Sequence, residues 1–562
     1  MRYLFHNDWK FLHTPVGTGY KEAVQRKEDF YGIELPHDWL IYDSENLYEN
    51  GTGWYLKTFS WNKKEEQRVF LVFDGVYMDS AVYVNGSLAM QWKYGYSAFS
   101  VEMTELLVSG ENEVMVSACF QNPNSRWYSG AGIYRNVYLR VAGKTCIEEN
   151  GVYVSTKKQG QDFLMRVETS IDGAVSTQLR VEHRLYEYLP ETKEKKEIEL
   201  CSDEGEVKTY LVKEPRLWDT EMPCLYQLET CLMNEKQVLD RAENKIGFRY
   251  TEFHPDKGFF LNGRHLKLNG VCEHHDLGAL GAAFHKAAMR RKFSILKEMG
   301  VNAIRGSHNM MASEAMDLAD EMGLLVVSEA FDMWEKSKTQ YDYARFFKEW
   351  SPRDVKSWIC RDRNHPCVIM WSIGNEIYDT HADSHGFEIT KYLMDLVQKY
   401  DPEENARITI GSNYMPWENA RKCAELYKLA GYNYAETCYE EHHAAYPDWV
   451  IYGSETSSIV QSRGVYHFPL NAGILAEDDE QCSALGNSIT SWGAKSMEEC
   501  ITMDRDMEFS MGQFLWTGFD YIGEPTPYHT KNSYFGQVDT AGFPKDSYYV
   551  WQSAWTDGNK KP

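Results

Sequence analysis

Residues 367–376 read CVIMWSIGNE, an apolar run that ends abruptly in an amide and a carboxylate. The run has the composition of a strand that is buried on both faces, as the inner strands of parallel sheets are. In a barrel of parallel strands, an acid at the carboxyl end of a strand lies at the mouth of a pocket. Residues 449–455 (WVIYGSE) end in the same way. The two stretches therefore predict two carboxyl groups, Glu376 and Glu455, on one face of a barrel.

After about residue 250 the sequence alternates between apolar runs and amphipathic stretches. Residues 287–300 (AAMRRKFSILKEMG) are typical of the second kind, an amphipathic helix that ends at a C-cap glycine. Eight runs read as strands, at residues 265–271, 301–307, 324–330, 367–376, 407–412, 429–434, 450–455 and 513–520. Eight strands with mostly helical connections predict a (β/α)8 TIM barrel. In this count Glu376 ends the fourth strand and Glu455 the seventh.

The sequence before residue 250 has a different character, because short strands alternate with turns. Residues 69–76, 80–92 and 112–120 show this pattern, with Asn-Gly turns among them. The pattern continues from residue 146 over a length typical of an immunoglobulin-like sandwich. A chain of 562 residues is also too long for one hydrophobic core. We therefore expect three domains, at residues 1–145, 146–249 and 250–562.

The composition excludes several classes of function. A net charge of −24 argues against binding to nucleic acid or to an anionic membrane surface. The sequence has no apolar run long enough to span a membrane, and residues 1–5 lead into folded-looking sequence without a secretion signal. The twelve cysteines are scattered without metal-binding spacing, which favours reduced thiols. These features predict a cytoplasmic protein whose partners include neither nucleic acid nor membrane.

The two predicted glutamates fit the chemistry of glycosidic bond cleavage. That reaction needs one protonated carboxyl group for the leaving oxygen and one ionised carboxylate for the oxocarbenium-like carbon. If the groups lie about 5 Å apart, the ionised one attacks the sugar and configuration is retained. A nearby tyrosine such as Tyr434 would orient the carboxylate of Glu455. A single glutamate at a strand end is explained equally well by a salt bridge to a loop, but two in matching contexts favour catalysis.

Longer motifs throughout the chain resemble glycoside hydrolase family 2, the family of β-galactosidases and β-glucuronidases. The matching stretches are ELPHDW (34–39), NSRWYSGAGIYRNVYL (124–139), LNGVCEHHDLGALGAA (268–283), RDRNHPCVIMWSIGNE (361–376), IYGSET (451–456) and FLWTGFDYIGEPTPY (514–528). The resemblance implies a jelly-roll sugar-binding domain, then an immunoglobulin-like β-sandwich, then a catalytic barrel. It also implies that Glu376 is the acid/base and Glu455 the nucleophile.

The resemblance implies further contacts to the sugar from the barrel. Asn375 matches an asparagine that contacts the 2-hydroxyl, and Tyr434 matches a tyrosine beside the nucleophile. His308 matches a histidine that touches the sugar, and Trp516 matches a tryptophan at the pocket floor. For His308 and Trp516 the alternative is packing in the core or at a strand end.

Other candidates lie at strand ends or outside the barrel. Arg126 and Trp127 belong to a loop of the first domain that reaches toward the active site in relatives. His274, Asp332 and Trp334 follow predicted barrel strands, and contact with the substrate and structural packing are equally good explanations for them. All five residues are expected to lie near the two glutamates.

The chain departs from the family's glucuronidase pattern at one position. β-Glucuronidases of the family carry Asn-x-Lys after the last barrel strand, and its lysine pairs with the substrate carboxylate. Residues 531–534 read KNSY, so Tyr534 takes the place of that lysine. We therefore expect a neutral β-galactoside as the substrate. The alternative is a β-glucuronide or β-galacturonide, whose carboxylate could pair with Lys336, Lys338 or Arg345 after the third strand.

Two other functions share parts of this pattern. A carbohydrate-binding protein that has lost catalysis would keep the fold, but the presence of both glutamates argues against it. Transglycosylation would use the same covalent intermediate with a sugar as acceptor. We expect a small-molecule or oligosaccharide β-glycoside as the substrate, a homo-oligomer and no cofactor. Some β-galactosidases of the family use magnesium, but no set of residues here matches their ligands.

Overall fold

Three domains follow one another along the chain. The computed structural model describes residues 2–173, 179–189, 194–198, 200–202, 207–235, 237–469, 482–484, 496–527 and 530–556. Within these residues two antiparallel sandwiches precede a closed barrel of eight strands. The predicted fold class, a jelly-roll-type sandwich, an immunoglobulin-like sandwich and a TIM barrel, is confirmed. The domain limits at residues 145 and 249 stay a prediction.

The first sandwich packs a sheet of six strands against a sheet of four. Its elements are β1 (Arg2–Leu4), β2 (Trp9–Thr14), α1 (Tyr20–Gln25), β3 (Tyr31–Ile33), β4 (Gly51–Trp61), β5 (Gln67–Phe73), β6 (Ser80–Val84), β7 (Ser87–Trp92), β8 (Phe99–Glu102), β9 (Gly110–Phe120) and β10 (Val137–Gly143). Leu71 and Phe73 of β5 face the core between the sheets, whereas Phe70 and Val72 pack against Cys146 on the other face. Both faces of β5 are therefore buried.

The second sandwich has two sheets of four strands and a core of its own. Its strands are β11 (Cys146–Gln159), β12 (Asp162–Asp172), β13 (Leu179–Leu189), β14 (Glu194–Ile198), β15 (Cys201–Ser202), β16 (Lys208–Val212), β17 (Tyr226–Asn234) and β18 (Gln237–Ile246). Alternate residues such as Phe163, Met165 and Val167 of β12 fill this core. The strands of this domain thus bury every second side chain in the core, as the alternating sequence pattern predicted.

A small sheet connects the second sandwich to the barrel. It consists of β19 (Thr251–His254), β20 (Gly258–Leu261) and β21 (Arg264–His265). The predicted strand at 265–271 is wrong in its first three residues, because His265 belongs to this sheet and the barrel strand begins at Leu268. Lys267 separates the two strands, and its ammonium donates to three backbone carbonyls at 2.7–2.9 Å.

The barrel closes through parallel pairing of its first and last strands. The eight strands are β22 (Leu268–Glu273), β23 (Ala303–Gly306), β24 (Leu325–Glu329), β25 (Val368–Asn375), β26 (Arg407–Ser412), β27 (Leu429–Asn433), β28 (Val450–Ser457) and β29 (Ser510–Trp516). The helices are α2 (Lys286–Glu298), α3 (Ser313–Met322), α4 (Ala344–Asp362), α5 (Tyr378–Ala382), α6 (His385–Tyr400), α7 (Glu418–Tyr427), α8 (Tyr439–Ala445), α9 (Met497–Arg505) and α10 (Asp546–Trp555). Two short strands, β30 (Tyr521–Ile522) and β31 (Asn532–Ser533), pair after the last barrel strand.

The two sandwiches contact opposite ends of the barrel. Arg135 of the first sandwich donates to the carbonyl oxygen of Met310, after β23, at 2.6 Å. Tyr153 of the second sandwich donates to the carboxylate of Asp401, ahead of β26, at 2.7 Å. The first sandwich therefore lies beside the carboxyl ends of the barrel strands, where TIM barrels carry their active sites.

Two further properties concern the whole chain. No described helix combines the length and the apolar character that crossing a membrane requires. None of the eleven cysteines whose side chains the structure describes forms a disulfide bond.

Candidate active site

The two predicted glutamates lie at the carboxyl end of the barrel. Glu376 directly follows β25, and Glu455 lies within β28. Asn433 of β27 donates to Oε1 of Glu376 at 3.2 Å. Ser454, the neighbour of Glu455, donates to the amide oxygen of Asn433 at 2.6 Å. These hydrogen bonds connect the strands that carry the two carboxyl groups.

Glu455 receives hydrogen bonds on both carboxylate oxygens. Arg305 donates from Nη1 to Oε1 at 2.8 Å, and the Tyr434 hydroxyl donates to Oε2 at 2.9 Å. Nε2 of His308 lies 3.6 Å from Oε1. Burial raises the pKa of Glu455 to about 7, with Arg305 opposing the rise and Glu376 adding to it. Glu455 is thus an oriented carboxyl group that ionises near neutral pH.

Arg305 is a site residue that the sequence analysis missed. It is fully buried in β23 and donates to the carboxylate of Glu329 at 2.8 and 3.1 Å. It also donates to the amide oxygen of Asn375 at 2.8 Å. The sequence signal that could have identified it is a charged residue inside an apolar barrel strand. An arginine buried there requires buried partners, which points to a site. Arg305 positions both Glu455 and the residue before Glu376.

Three residues of the site have a left-handed backbone. The φ angles of Glu376, Tyr434 and Glu524 are 45°, 54° and 46°. Residues with a side chain rarely adopt this conformation, and where they do they are often found at active sites. In Tyr434 the conformation breaks the alternation of the strand. Asn433 faces the barrel interior, yet Tyr434 also reaches Glu455.

A cluster of charged residues surrounds Glu376. Oδ1 of Asp332 accepts hydrogen bonds from Arg126 at 3.1 Å, Lys338 at 2.8 Å and Asn375 at 2.9 Å. Nη1 of Arg126 lies 3.5 Å from Oε2 of Glu376. Burial acts to raise the pKa of Asp332, but Arg126 and Lys338 lower it overall. Asp332 is therefore an ionised partner of both cations.

Glu524 joins this charged cluster and was also missed. Its Oε1 lies 4.0 Å from Nη1 of Arg126, and its Oε2 accepts the hydroxyl of Tyr521 at 2.5 Å. Burial raises its pKa. Glu524 lies within the 514–528 motif, but no periodic pattern distinguishes it there. A charge inside an otherwise aromatic segment was the only signal.

Aromatic and histidine rings form a second wall of the site. Trp127, from the first sandwich, lies 5.1 Å from the ring of His274 and 5.4 Å from that of His308. Trp516 stacks on His308 at 5.3 Å. Both ring nitrogens of His274 are buried without a hydrogen-bond partner among the described residues. Burial lowers the pKa of His274 well below its ordinary value, so the neutral ring offers a donor and an acceptor to a ligand.

Two further predicted contacts, Trp334 and Tyr534, follow β24 and β31. A contact between Trp334 and the sugar stays a prediction. Its ring is fully buried, 6.5 Å from that of Phe347 of α4, and its Nε1 donates to the carbonyl oxygen of Ile373 at 2.9 Å. Tyr534 follows β31, and its ring centroid lies 5.7 Å from the ammonium of Lys545. A role for Tyr534 in choosing the sugar stays a prediction.

Of the three cations considered for a uronic acid, Lys338 alone has described contacts within the charged cluster. Lys338 also donates to the carbonyl oxygen of Asn375 at 3.0 Å. Lys336 is exposed and lies 3.7 Å from Asp383. Arg345 is exposed and donates to Gln121 at 3.2 Å.

The described residues contain one group of three side chains that could share a metal ion, and it lies away from the glutamates. The group consists of Asp320, His365 and Cys367. His365 and Cys367 precede β25, whereas Glu376 follows it. Nδ1 of His365 lies 2.6 Å from Oδ2 of Asp320, which is an ion pair rather than the spacing of two metal ligands.

Comparison with known proteins gives a consistent result. The chain matches the family profiles "Glycosyl hydrolases family 2, sugar binding domain" at residues 33–142, "Glycosyl hydrolases family 2" at 147–249 and "Glycosyl hydrolases family 2, TIM barrel domain" at 254–445. It is 38% identical to the β-galactosidase BoGH2A of Bacteroides ovatus, over 98% of this chain and 72% of the relative. It is 31% identical to a putative β-glucuronidase of Formosa agariphila, over 98% of this chain and 55% of the relative.

The fold has been observed in related chains. A β-glycosidase from Bacteroides vulgatus superposes with a TM-score of 0.85 and 29% identity, covering 99% of this chain and 75% of that one. The domain order, the barrel with its two glutamates and these matches lead to one assignment. The chain belongs to family 2 of the glycosyl hydrolases.

Proposed function

We propose that the protein is a retaining exo-β-galactosidase that removes terminal non-reducing β-D-galactosyl residues. The observation that carries the proposal is the pair of carboxyl groups at the barrel mouth. Glu455 is held by Arg305 and Tyr434, and Glu376 lies beside Arg126. The galactosyl specificity is supported by the 38% identity to a β-galactosidase.

In the proposed mechanism, a carboxylate oxygen of Glu455 attacks the anomeric carbon. Glu376 donates its proton to the glycosidic oxygen, and the bond between that oxygen and the anomeric carbon breaks. Water then attacks the anomeric carbon of the glycosyl ester and gives its proton to Glu376, so Glu455 leaves as a carboxylate. Two displacements at one carbon retain its configuration.

The neighbours of Glu455 support its role as the nucleophile. Arg305 and Tyr434 hold the two oxygens in fixed directions, which reduces the reorganisation needed for attack. Because burial holds the pKa of Glu455 at about 7, the carboxylate keeps more basicity than an exposed glutamate would. We propose that the sugar itself contacts the remaining predicted residues, namely Asn375, His308, Trp516, His274, Asp332, Arg126 and Trp127.

The charges around Glu376 support a neutral sugar. The two cations there, Arg126 and Lys338, already pair with carboxylates of Asp332, Glu376 and Glu524. A substrate carboxylate would have to compete with these acids for the same donors. A neutral galactoside needs only hydroxyl contacts, which such paired groups can provide.

The alternative is a β-glucuronidase or β-galacturonidase, and the position of Lys338 favours it. Lys338 is buried beside Asp332, where a uronic acid carboxylate could replace a hydroxyl contact. Initial rates on p-nitrophenyl β-galactoside, β-glucuronide and β-galacturonide test the two proposals directly. Dominance of the galactoside supports our assignment, whereas dominance of a uronide overturns it.

We further infer that the protein works in a reducing compartment, the cytoplasm, because none of its described cysteines forms a disulfide bond. A homo-oligomer stays a prediction, and light scattering of the purified chain measures it.

A further inference from the structure

Four aromatic side chains form a continuous surface beside Glu376. Tyr378 belongs to α5, which begins two residues after Glu376, together with His381. Tyr414 follows β26 and stacks on His381 with ring centroids 3.8 Å apart. Trp417, just before α7, meets the His381 ring edge-on at 4.9 Å. We name these four residues, Tyr378, His381, Tyr414 and Trp417, the aromatic platform.

Two rings of the aromatic platform are exposed and the other two, His381 and Tyr414, are half-buried, although large aromatic side chains are usually buried. Tyr378 is 40% exposed and Trp417 is 54% exposed. Local hydrogen bonds nevertheless fix its backbone. The Trp417 N–H donates to the carbonyl oxygen of Tyr414 at 2.8 Å, and Asn419 donates to that of His381 at 3.3 Å. A group of rings that is fixed in place and partly exposed has the properties of a binding surface.

The aromatic platform is continuous with the charged cluster of the site. Lys338, which donates to the carbonyl oxygen of Asn375 at 3.0 Å, also lies 5.9 Å from the ring centroid of Tyr378. The Tyr378 ring in turn lies 6.4 Å from that of Tyr414. Burial and the nearby carboxylate of Glu376 raise the pKa of Tyr414 to about 12. The surface thus begins at the proposed acid/base and extends outward.

The direction of the aromatic platform identifies what it would bind. A general acid must reach the glycosidic oxygen, which joins the cleaved sugar to the leaving group. The leaving group therefore extends from the site on the side of Glu376. A pyranose ring has an apolar C–H face that packs on aromatic rings, and its hydroxyl groups stay in water at an exposed surface.

We propose that the aromatic platform is the leaving-group subsite and binds a pyranose ring of the substrate. The natural substrate is then a β-galactosyl oligosaccharide rather than a galactoside of a small non-sugar alcohol. This inference rests on the proposed function, because Glu376 must be the acid for the direction to hold.

The test compares substrates with and without a leaving-group ring. β-Galactosyl fluoride has a single atom in that place, whereas linkage isomers of galactosyl disaccharides carry a sugar. Trp417→Ala should lower kcat/KM on the best disaccharide by about 10-fold and leave that on the fluoride within about 2-fold. Trp417→Phe should keep most of the parent kcat/KM on the disaccharide, since it retains an aromatic ring. Tyr549→Ala, on the exposed face of α10, is the matched control and should leave kcat/KM on both substrates unchanged.

The same variant has a second readout. A galactosyl-enzyme formed from the fluoride can be attacked by a hydroxyl of an added sugar, which gives its proton to Glu376 as the ester bond to Glu455 breaks. The aromatic platform would hold that acceptor. Trp417→Ala should therefore lower the ratio of transfer product to free galactose while the rate of fluoride release stays constant.

The possible outcomes separate the two proposals. If the parent protein does not hydrolyse the fluoride, the proposed function fails. If it does, but Trp417→Ala affects both substrates equally or neither, the subsite is overturned while the proposed function stands. A change in molecular mass on light scattering with unchanged kinetics would also overturn the subsite, because it would assign these rings to a contact between protein chains.

Discussion

At the scale of single residues, Tyr434 is one of the groups that lower the pKa of Glu455, against the effect of burial. Its hydroxyl donates to the carboxylate, and hydrogen bonds to a charged group are worth about 1.5–3 kcal/mol. Tyr434→Phe should therefore raise the pKa of Glu455 above its value of about 7. The nucleophile must be ionised, so activity falls as the pH falls through this pKa. The acidic limb of the kcat/KM profile should move upward by about one pH unit or more.

Tyr432, on the strand β27 that Tyr434 follows, offers a matched control. Its hydroxyl lies 2.9 Å from Nδ1 of His442 on α8, away from the barrel interior. Tyr432→Phe removes an equivalent hydroxyl and should leave the acidic limb in place. If both variants shift the limb equally, Tyr434 acts through the fold and not through Glu455.

The roles of the two glutamates can be separated by the products that azide forms. Glu376→Ala should still form the galactosyl-enzyme from galactosides with activated leaving groups such as dinitrophenol, because these groups depart without protonation. Galactosides with poor leaving groups should not react. Azide needs no general base, so it should accelerate the second step and give β-galactosyl azide. In Glu455→Ala azide replaces the nucleophile in a single displacement and should give α-galactosyl azide. NMR of the products identifies the anomers, and the opposite assignment of anomers would reverse the two roles.

At the scale of elements, the loop between β9 and β10 brings the first sandwich into the site. Arg126 of this loop faces the carboxylates of Asp332, Glu376 and Glu524. Arg126→Ala should lower kcat/KM by about 10- to 100-fold, because three acids lose their shared cation. Steady-state kinetics and the thermal midpoint of unfolding should be measured together.

Arg345→Ala is the control for this loop. Arg345 also joins the first sandwich to the barrel, through Gln121, but it lies on the protein surface. Its loss should leave kcat/KM within about 2-fold. An equal loss in both variants would show that Arg126 only holds the domains together.

The elements that the sequence predicted best are those with one uniform environment. The strand before Glu376 is buried over its whole length, so its apolar run was visible and its end located the acid. The region before the barrel was harder, because HLKLNGV crosses from a small sheet into β22 without any change in composition. Hydrogen bonds from Lys267 to three distant carbonyls mark this boundary, and they cannot be read from the local sequence.

Contacts between distant residues limited the prediction of the site. Glu376, Glu455 and Tyr434 could be placed from strand ends and a motif. The partners Arg305 and Glu329 belong to strands that read as ordinary core, and their pairing depends on the barrel register. A position after a strand also does not show how a ring packs, and the contact between Trp334 and Phe347 of α4 could not be read from the sequence.

At the scale of the whole molecule, the end of the barrel opposite the active site carries a buried ion pair at the junction with the second sandwich. Trp218 of that sandwich donates to the carbonyl oxygen of Asp320, whose carboxylate lies 2.6 Å from Nδ1 of His365. Burial acts to lower the pKa of His365, but Asp320 raises it from 6.5 to about 9. The folded protein therefore holds this proton more tightly than the unfolded chain does.

His365→Gln should destabilise the protein near neutral pH by about 3 kcal/mol, because it leaves the buried Asp320 carboxylate without its cation.

The sign of the pH dependence follows from the raised pKa of His365. The stabilisation is fully present below pH 6.5 and is lost as the pH rises through about 9. The difference in denaturation midpoint between parent and variant should therefore be largest just below pH 6.5 and shrink as the pH rises toward about 9. His385→Gln, which removes an exposed ion pair with Glu335, should cost less than about 1 kcal/mol at any pH. A difference for His365→Gln that stays constant across this range would mean that His365 stabilises the junction by packing and not by its charge.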